Sequence, residues 1–232
     1  MAQRKYNWLF FDLDGTLWDF DSNSEYTLHL LIQQFAPNLI AHEQEFLAAY
    51  RKYNDFLWIE YGAGRISKEE LRWKRFYEVF LQFEIDDKSL AVDFGEKYIS
   101  LSPYQTRVVE HSFDVLDYLK SKGYHMYLLT NGFTEIQHIK TTQSGLAPYF
   151  EKMFTSDESG YKKPHKLAFD YAIKYVNARK HESLMIGDEW PTDILGAHQA
   201  GIDQVYFNTR NQVAECPVTY EIKSLLELKE IL

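Results

Sequence analysis

Residues 12–16 read Asp-Leu-Asp-Gly-Thr, directly behind the apolar run Trp8-Leu9-Phe10-Phe11. Carboxylates at the tip of a buried strand are costly unless something pairs with them. Three further stretches carry groups of matching chemistry. They are Thr130-Asn131-Gly132, Lys162-Lys163-Pro164, and Gly187-Asp188 with Asp193 five residues on. Crowded carboxylates repel one another unless a cation lies among them. The ligand atoms on offer, carboxylates and backbone carbonyls, are all oxygen and suit a hard octahedral ion, for which Mg²⁺ is the natural choice. A carboxylate can also attack as a covalent nucleophile, as in aspartyl-phosphate formation. The Thr130 hydroxyl and a backbone N–H of the Asn131-Gly132 turn can hold phosphate oxygens. A lysine can neutralise charge that builds on a transferring group.

The surrounding pattern says which elements position these groups. Tyr6–Phe11 reads as a buried strand that ends on Asp12. A helical block follows. Ser22-Asn-Ser-Glu25 looks like a capping box in front of Leu28, Leu31, Ile32 and Phe35, and Pro37 stops that stripe. Phe46, Tyr50, Tyr53 and Leu57 make a second stripe. A second capping box, Ser67-Lys-Glu-Glu70, precedes a third through Trp73, Phe76, Tyr77 and Phe80. A fourth runs through Ala91, Phe94, Tyr98 and Leu101. Short links between four helices predict a small antiparallel bundle. Strands and helices then alternate. Helices are expected over about 107–122, from Thr134 to Gly145, from Pro164 to about Ala178, over Pro191–Ala200 and over Leu225–Leu232. Strands are expected at Tyr124–Leu129, Met153–Ser156, Leu184–Gly187 and Gln204–Phe207. This predicts an α/β fold: a Rossmann-like parallel sheet core, residues 1–17 plus 104–232, with an inserted helical bundle at 18–103. Ligands of such sheets bind at the carboxyl ends of the strands, where all four stretches fall.

Composition limits the alternatives. The 232 residues are 45% hydrophobic and 25% charged, with a formal net charge of −9. No cluster of basic residues suggests a nucleic-acid track, and no run reaches the ~20 apolar residues of a membrane span. The single cysteine, Cys216, excludes an intramolecular disulfide and points to a reducing cytosolic setting. Nothing selects a monomer over a dimer.

Taken in order, the four stretches resemble the motifs of the haloacid dehalogenase superfamily of phosphohydrolases, and the insertion resembles the helical cap of its first cap class. The resemblance implies roles. Asp12 would attack phosphorus. Asp14 would protonate the leaving oxygen and then deprotonate water, which asks for a protonated Asp14 at the first step. Thr130 would bind the phosphoryl group, and Lys163 would bridge Asp12 and the phosphate. Asp188, the Asp12 side chain and the Asp14 backbone carbonyl would hold Mg²⁺. Asp193 would act through metal-bound water or by orienting Lys163. Dehalogenases of the superfamily usually lack the second acid of the first motif, so Asp14 favours phosphoryl transfer. Phe20-Asp21-Ser22, Leu57-Trp58 through Tyr61, and Thr130–Thr134 are further similar to the nucleotidases that cleave pyrimidine 5′-monophosphates. Gly15 and Glu189-Trp190-Pro191 depart from that subgroup. Trp18, Phe20 and Trp58 are the candidate substrate contacts.

Other readings compete. Asp14-Gly15 alone could be a hairpin turn, but no strand follows at once. A calcium loop needs glycine where Leu17 stands. The eight histidines show no ligand spacing, and the aromatic stripes at helical spacing read as bundle core. Of the two lysines, Lys163 matches the motif and Lys162 reads as a solvated charge. Glu189 reads as a helix N-terminal residue rather than a ligand. A phosphoacceptor signalling domain would be shorter and lack the insertion. A catalytically inactive relative would have lost one of the motif residues. Phosphoglycolate, sugar-phosphate and phosphomutase activities share the same core chemistry.

Overall fold

The computed structural model describes residues 4–232. Six strands form one sheet: β1 (Trp8–Phe11), β2 (His125–Thr130), β3 (Lys152–Thr155), β4 (Ser183–Gly187), β5 (Asp203–Phe207) and β6 (Tyr220–Ile222). Their order is β3-β2-β1-β4-β5-β6, and every pairing is parallel. The helices are α1 (Phe20–Phe35), α2 (Glu43–Gly62), α3 (Lys68–Leu81), α4 (Lys88–Leu101), α5 (Ser112–Ser121), α6 (Thr134–Gln143), α7 (Ser156–Ser159), α8 (Lys166–Tyr175), α9 (Leu195–Ala200) and α10 (Leu228–Ile231). Two compact units result. One holds residues up to Phe20 together with Thr106–Leu232, and the other holds Asp21–Gln105. No helix among the described residues is long and apolar enough to cross a membrane.

In the α/β unit the alternation of side chains along each strand supplies two cores. Leu9 and Phe11 join Leu128, Leu184, Ile186 and Val205 against Val115, Leu116 and Leu119 of α5. Phe10 turns the other way and joins Leu129, Phe154 and Met185 against Phe169 and Ile173 of α8. The strands are buried on both faces, which is why they read as continuous apolar runs. β1 lies in the middle, with its residues registered on both sides against β2 and β4. The Asp12 N–H continues the ladder by donating to the Ile186 carbonyl at 2.9 Å.

The helical unit closes around rings. Phe46, Tyr50, Phe76, Phe80, Phe94 and Tyr98 are buried together with Leu28, Leu31 and Ile32. The expected capping box at Ser67 is present: Ser67 Oγ accepts from the Glu70 N–H at 3.1 Å, and the Glu70 carboxylate accepts from the Ser67 N–H at 2.9 Å. The one expected at Ser22 is not, because α1 begins at Phe20 and takes Ser22 into its first turn.

Other departures have local causes. The helix expected from Arg107 begins at Ser112. Val108 and Val109 look like helical core positions, but Trp18 bridges to Val108, and the Val109 N–H donates to the Leu17 carbonyl at 2.8 Å. His111, at φ +66°, then turns the chain into α5. Pro164 precedes α8 rather than opening it, since His165 caps that helix through Nδ1. The stretch from Pro191 is a wide π-turn, Trp190–Ile194, before α9. The three-residue edge strand β6 and the single turn α7 were too short to carry a period.

Candidate active site

Asp12 is the first residue beyond β1 and is almost fully buried. The Lys163 ammonium reaches it at 2.5 Å from Oδ1 and reaches Asp193 Oδ1 at 2.7 Å. Lys163 itself is buried, so one desolvated cation is clamped between two carboxylates. Burial alone would lower its pKa, but Asp12 and Asp193 outweigh that and hold it above the usual lysine range. Lys163, not Lys162, is therefore the lysine that meets the first motif. Its loop is fixed by Asn131, which donates through Nδ2 to the Lys163 carbonyl and accepts the Lys163 N–H at Oδ1, both at 2.8 Å. The Asn131 side chain is thus used to hold the lysine.

Asp188 follows β4 on the neighbouring strand. Its Oδ1 accepts from Thr16 Oγ1 at 2.7 Å. Asp12, Asp188 and Asp193 bring carboxylate oxygens within 4.8 Å of one another. Asp193 is held from the backbone as well, its Oδ2 accepting the Glu189 N–H at 3.2 Å. The Glu189 side chain is exposed, faces Arg210 at 3.4 Å and is not part of the cluster. Close approach explains two glycines. A Cβ on Gly15, which sits at φ +86°, would collide with the Asp188 carboxylate, and one on Gly187 would collide with that of Asp193.

The charge balance of this cluster tests whether a cation fits. Three carboxylates lie together, and one ammonium group meets two of them, Asp12 and Asp193. Burial, joined by repulsion from neighbouring carboxylates, pushes both Asp12 and Asp188 above the ordinary carboxylate range. A site short of positive charge, offering only oxygen donors, fits Mg²⁺.

Asp14 lies beside this cluster rather than in it. Its Oδ1 accepts from Lys140 Nζ at 2.5 Å and its Oδ2 from Gln137 Nε2 at 2.7 Å. Thr130, the last residue of β2, accepts at Oγ1 from the Gly132 N–H at 3.1 Å and from Gln137 Nε2 at 2.7 Å. Thr16, Gln137 and Lys140 carry no role in the sequence reading. The signal for the last pair was a glutamine and a lysine three apart on the helix opened by Thr134, which places them on one face.

Among the expected substrate contacts, Trp18 is fully buried in the core, where its ring lies 4.2 Å beneath the Lys140 ammonium; it is a packing residue, not a surface for substrate. Phe20 is half-buried and tilted against Trp18. Trp58 lies on α2 in the helical unit, edge-on to Tyr61.

Comparison with known proteins matches this arrangement. Residues 6–201 match the haloacid dehalogenase-like hydrolase family. The chain is 34% identical to the pyrimidine 5′-nucleotidase PynA of Streptococcus pneumoniae, over 98% of this chain and 95% of that one. It is 29% identical to the pyrimidine 5′-nucleotidase YjjG of Escherichia coli, over 98% of both. The crystal structure of the HAD-hydrolase YfnB from Bacillus subtilis, determined with magnesium bound, superposes with a TM-score of 0.88 at 28% identity, over 99% of both chains. The parallel sheet, the strand-end aspartates and these full-length matches make the chain a member of the haloacid dehalogenase-like hydrolase family, and within it a phosphoric monoester hydrolase.

Proposed function

We propose that this enzyme is a Mg²⁺-dependent 5′-nucleotidase acting on pyrimidine nucleoside monophosphates through an aspartyl-phosphate. The observation that carries the chemistry is that two carboxylates two residues apart are held by separate cations: Asp12 meets the buried Lys163, which Asp193 shares, while Asp14 meets Lys140 and Gln137 of α6. Held by separate partners, the two can take separate parts in one reaction. In the first half-reaction an Asp12 oxygen bonds to phosphorus, the ester P–O bond breaks, and the departing oxygen takes a proton from Asp14. In the second, water attacks that phosphorus and loses a proton to Asp14; the Asp12–phosphorus bond breaks, and the carboxylate and inorganic phosphate are released. Lys163 neutralises charge on Asp12 and on the phosphoryl oxygens. The Thr130 hydroxyl and the N–H groups of the turn behind it hold those oxygens. Asp12, Asp188 and the Asp14 carbonyl would hold Mg²⁺, with Asp193 keeping Lys163 in place, and the ion would supply Lewis-acid stabilisation of the phosphoryl charge.

The substrate reading rests on the likeness to PynA and YjjG. A half-buried lone cysteine suits the reducing cytosol in which free nucleotides occur. Phosphate release should require Mg²⁺ and stop with EDTA. Among UMP, dUMP, dTMP, phosphoglycolate and hexose phosphates, the pyrimidine nucleotides should show the highest kcat/KM. A ranking with these nucleotides last would refute the substrate while leaving the phosphatase chemistry standing.

A further inference from the structure

One helix face reaches both halves of the acid side of the site. Gln137 and Lys140, on successive turns of α6, are both buried. Each takes one oxygen of the Asp14 carboxyl, and Gln137 also donates to Thr130. Three details indicate that this is built for Asp14 and Thr130 rather than for the helix itself. The Gln137 amide is turned so that Nε2 faces both partners, although this leaves its buried Oε1 without a hydrogen bond. The opposite orientation would set an acceptor against a carboxylate. Gly132 is required by the same contact, because a Cβ there would collide with the Gln137 amide. The Lys140 ammonium rests over Trp18 at 4.2 Å and Phe20 at 5.8 Å, a ring platform that keeps it dry and fixes its height. With both acceptor positions of Thr130 Oγ1 filled, by the Gly132 N–H and by Gln137, its hydroxyl hydrogen is left to donate outward.

We infer that Gln137 and Lys140 are positioning residues of the hydrolysis: together they set the Asp14 carboxyl against the ester oxygen and the Thr130 hydroxyl against the phosphoryl group. This rests on Asp14 being the acid of the reaction. Through Asp14 both residues act on proton delivery, and that part of their loss is felt in proportion to the leaving group's need for a proton; Gln137 alone also acts through Thr130, on every ester alike.

The test compares kcat/KM, which covers the steps through departure of the leaving group, for an alkyl phosphate (the best of the panel above) and for p-nitrophenyl phosphate, whose phenolate leaves without a proton. Lys140→Met should lower kcat/KM for the alkyl ester by about 100-fold, the low end of a general acid's contribution, and for p-nitrophenyl phosphate by less than about 10-fold; Gln137→Leu, which also releases Thr130, should lower both, the alkyl ester by at least about 10-fold more. Lys140→Arg should recover part of the alkyl-ester loss. Equal losses on both esters, or none on either, would overturn the inference. Should one variant fail to fold, as judged by its thermal melt, the other decides. Asp14→Asn is measured alongside. If it discriminates between the esters and the two α6 variants do not, the positioning role alone fails; if it does not discriminate, the acid role of Asp14 falls and takes this inference with it.

Discussion

The two units bury cations in opposite ways. In the α/β unit Lys163 is enclosed by Asp12 and Asp193, and Lys140 faces Asp14, at distances of 2.5 to 2.7 Å. In the helical unit the buried Arg75 is met by an amide and by rings. It donates to Asn54 Oδ1 at 3.0 Å and lies over Tyr98, Phe76 and Tyr50 at 4.9, 5.1 and 5.9 Å. The first arrangement concentrates opposite charges at the strand ends where the proposed reaction would develop charge. The second disperses one charge over polarisable surface and leaves little to react. Burial of a charged side chain is therefore common to both units, and the nature of its partner separates chemistry from packing.

The contrast can be attacked one residue at a time. The largest effect belongs to Asp12→Asn, which should lower kcat by at least about 10³-fold, as loss of a nucleophile does. Circular dichroism should show the fold retained, and a variant with wild-type turnover would dissolve the distinction between the units. Lys163→Met leaves Asp12 and Asp193 buried together without their cation. A loss of about 3–5 kcal/mol in urea unfolding is expected, and Mg²⁺ should restore more of that stability than it adds to the wild type. Arg75→Met should cost less, about 1–3 kcal/mol, from one lost hydrogen bond, an orphaned Asn54 oxygen and the lost ring contacts. Its melting temperature should respond to Mg²⁺ as the wild type's does; an enhanced response would place Arg75 in the charged site. Ser67→Ala, at the start of α3, should cost only about 1 kcal/mol, read by thermal melting, and should leave the pyrimidine-nucleotide ranking unchanged.

The strand-end chemistry was legible because two signals coincide there. An apolar run sets the strand, and a sudden acid or hydroxyl with glycine close by marks the exit, as at Asp12, Thr130 and Asp188. The aromatic stripes of the helical unit were legible for the same kind of reason, since Phe46 and Tyr50, Phe76 and Phe80, and Phe94 and Tyr98 each stand four apart on one helix and are buried together. Gln137 and Lys140 were not, because polar residues on a helix look solvated until the rotation of that helix about its axis is known. Val108 and Val109 misled for the converse reason. Their apolarity serves contacts with Leu17 and Trp18, and no local pattern can show that long-range pairing has claimed them. β6 has three residues at the sheet's edge, where neither period nor continuous burial has room to develop.

The middle position of β1 carries a kinetic consequence. Its pairing partners arrive late in the chain, Trp8 registering against His125 and Ser183, and the site contacts are as distant: that of Lys163 with Asp12 spans 151 residues, and that of Thr16 with Asp188 spans 172. During synthesis the strand bearing Asp12 emerges before β2 and β4, and its two edges stay open until they have been made. Closing loops of that length is entropically slow. Recovery of phosphatase turnover on refolding should accordingly lag behind the recovery of helical signal, so that activity reports the last event of folding rather than the first.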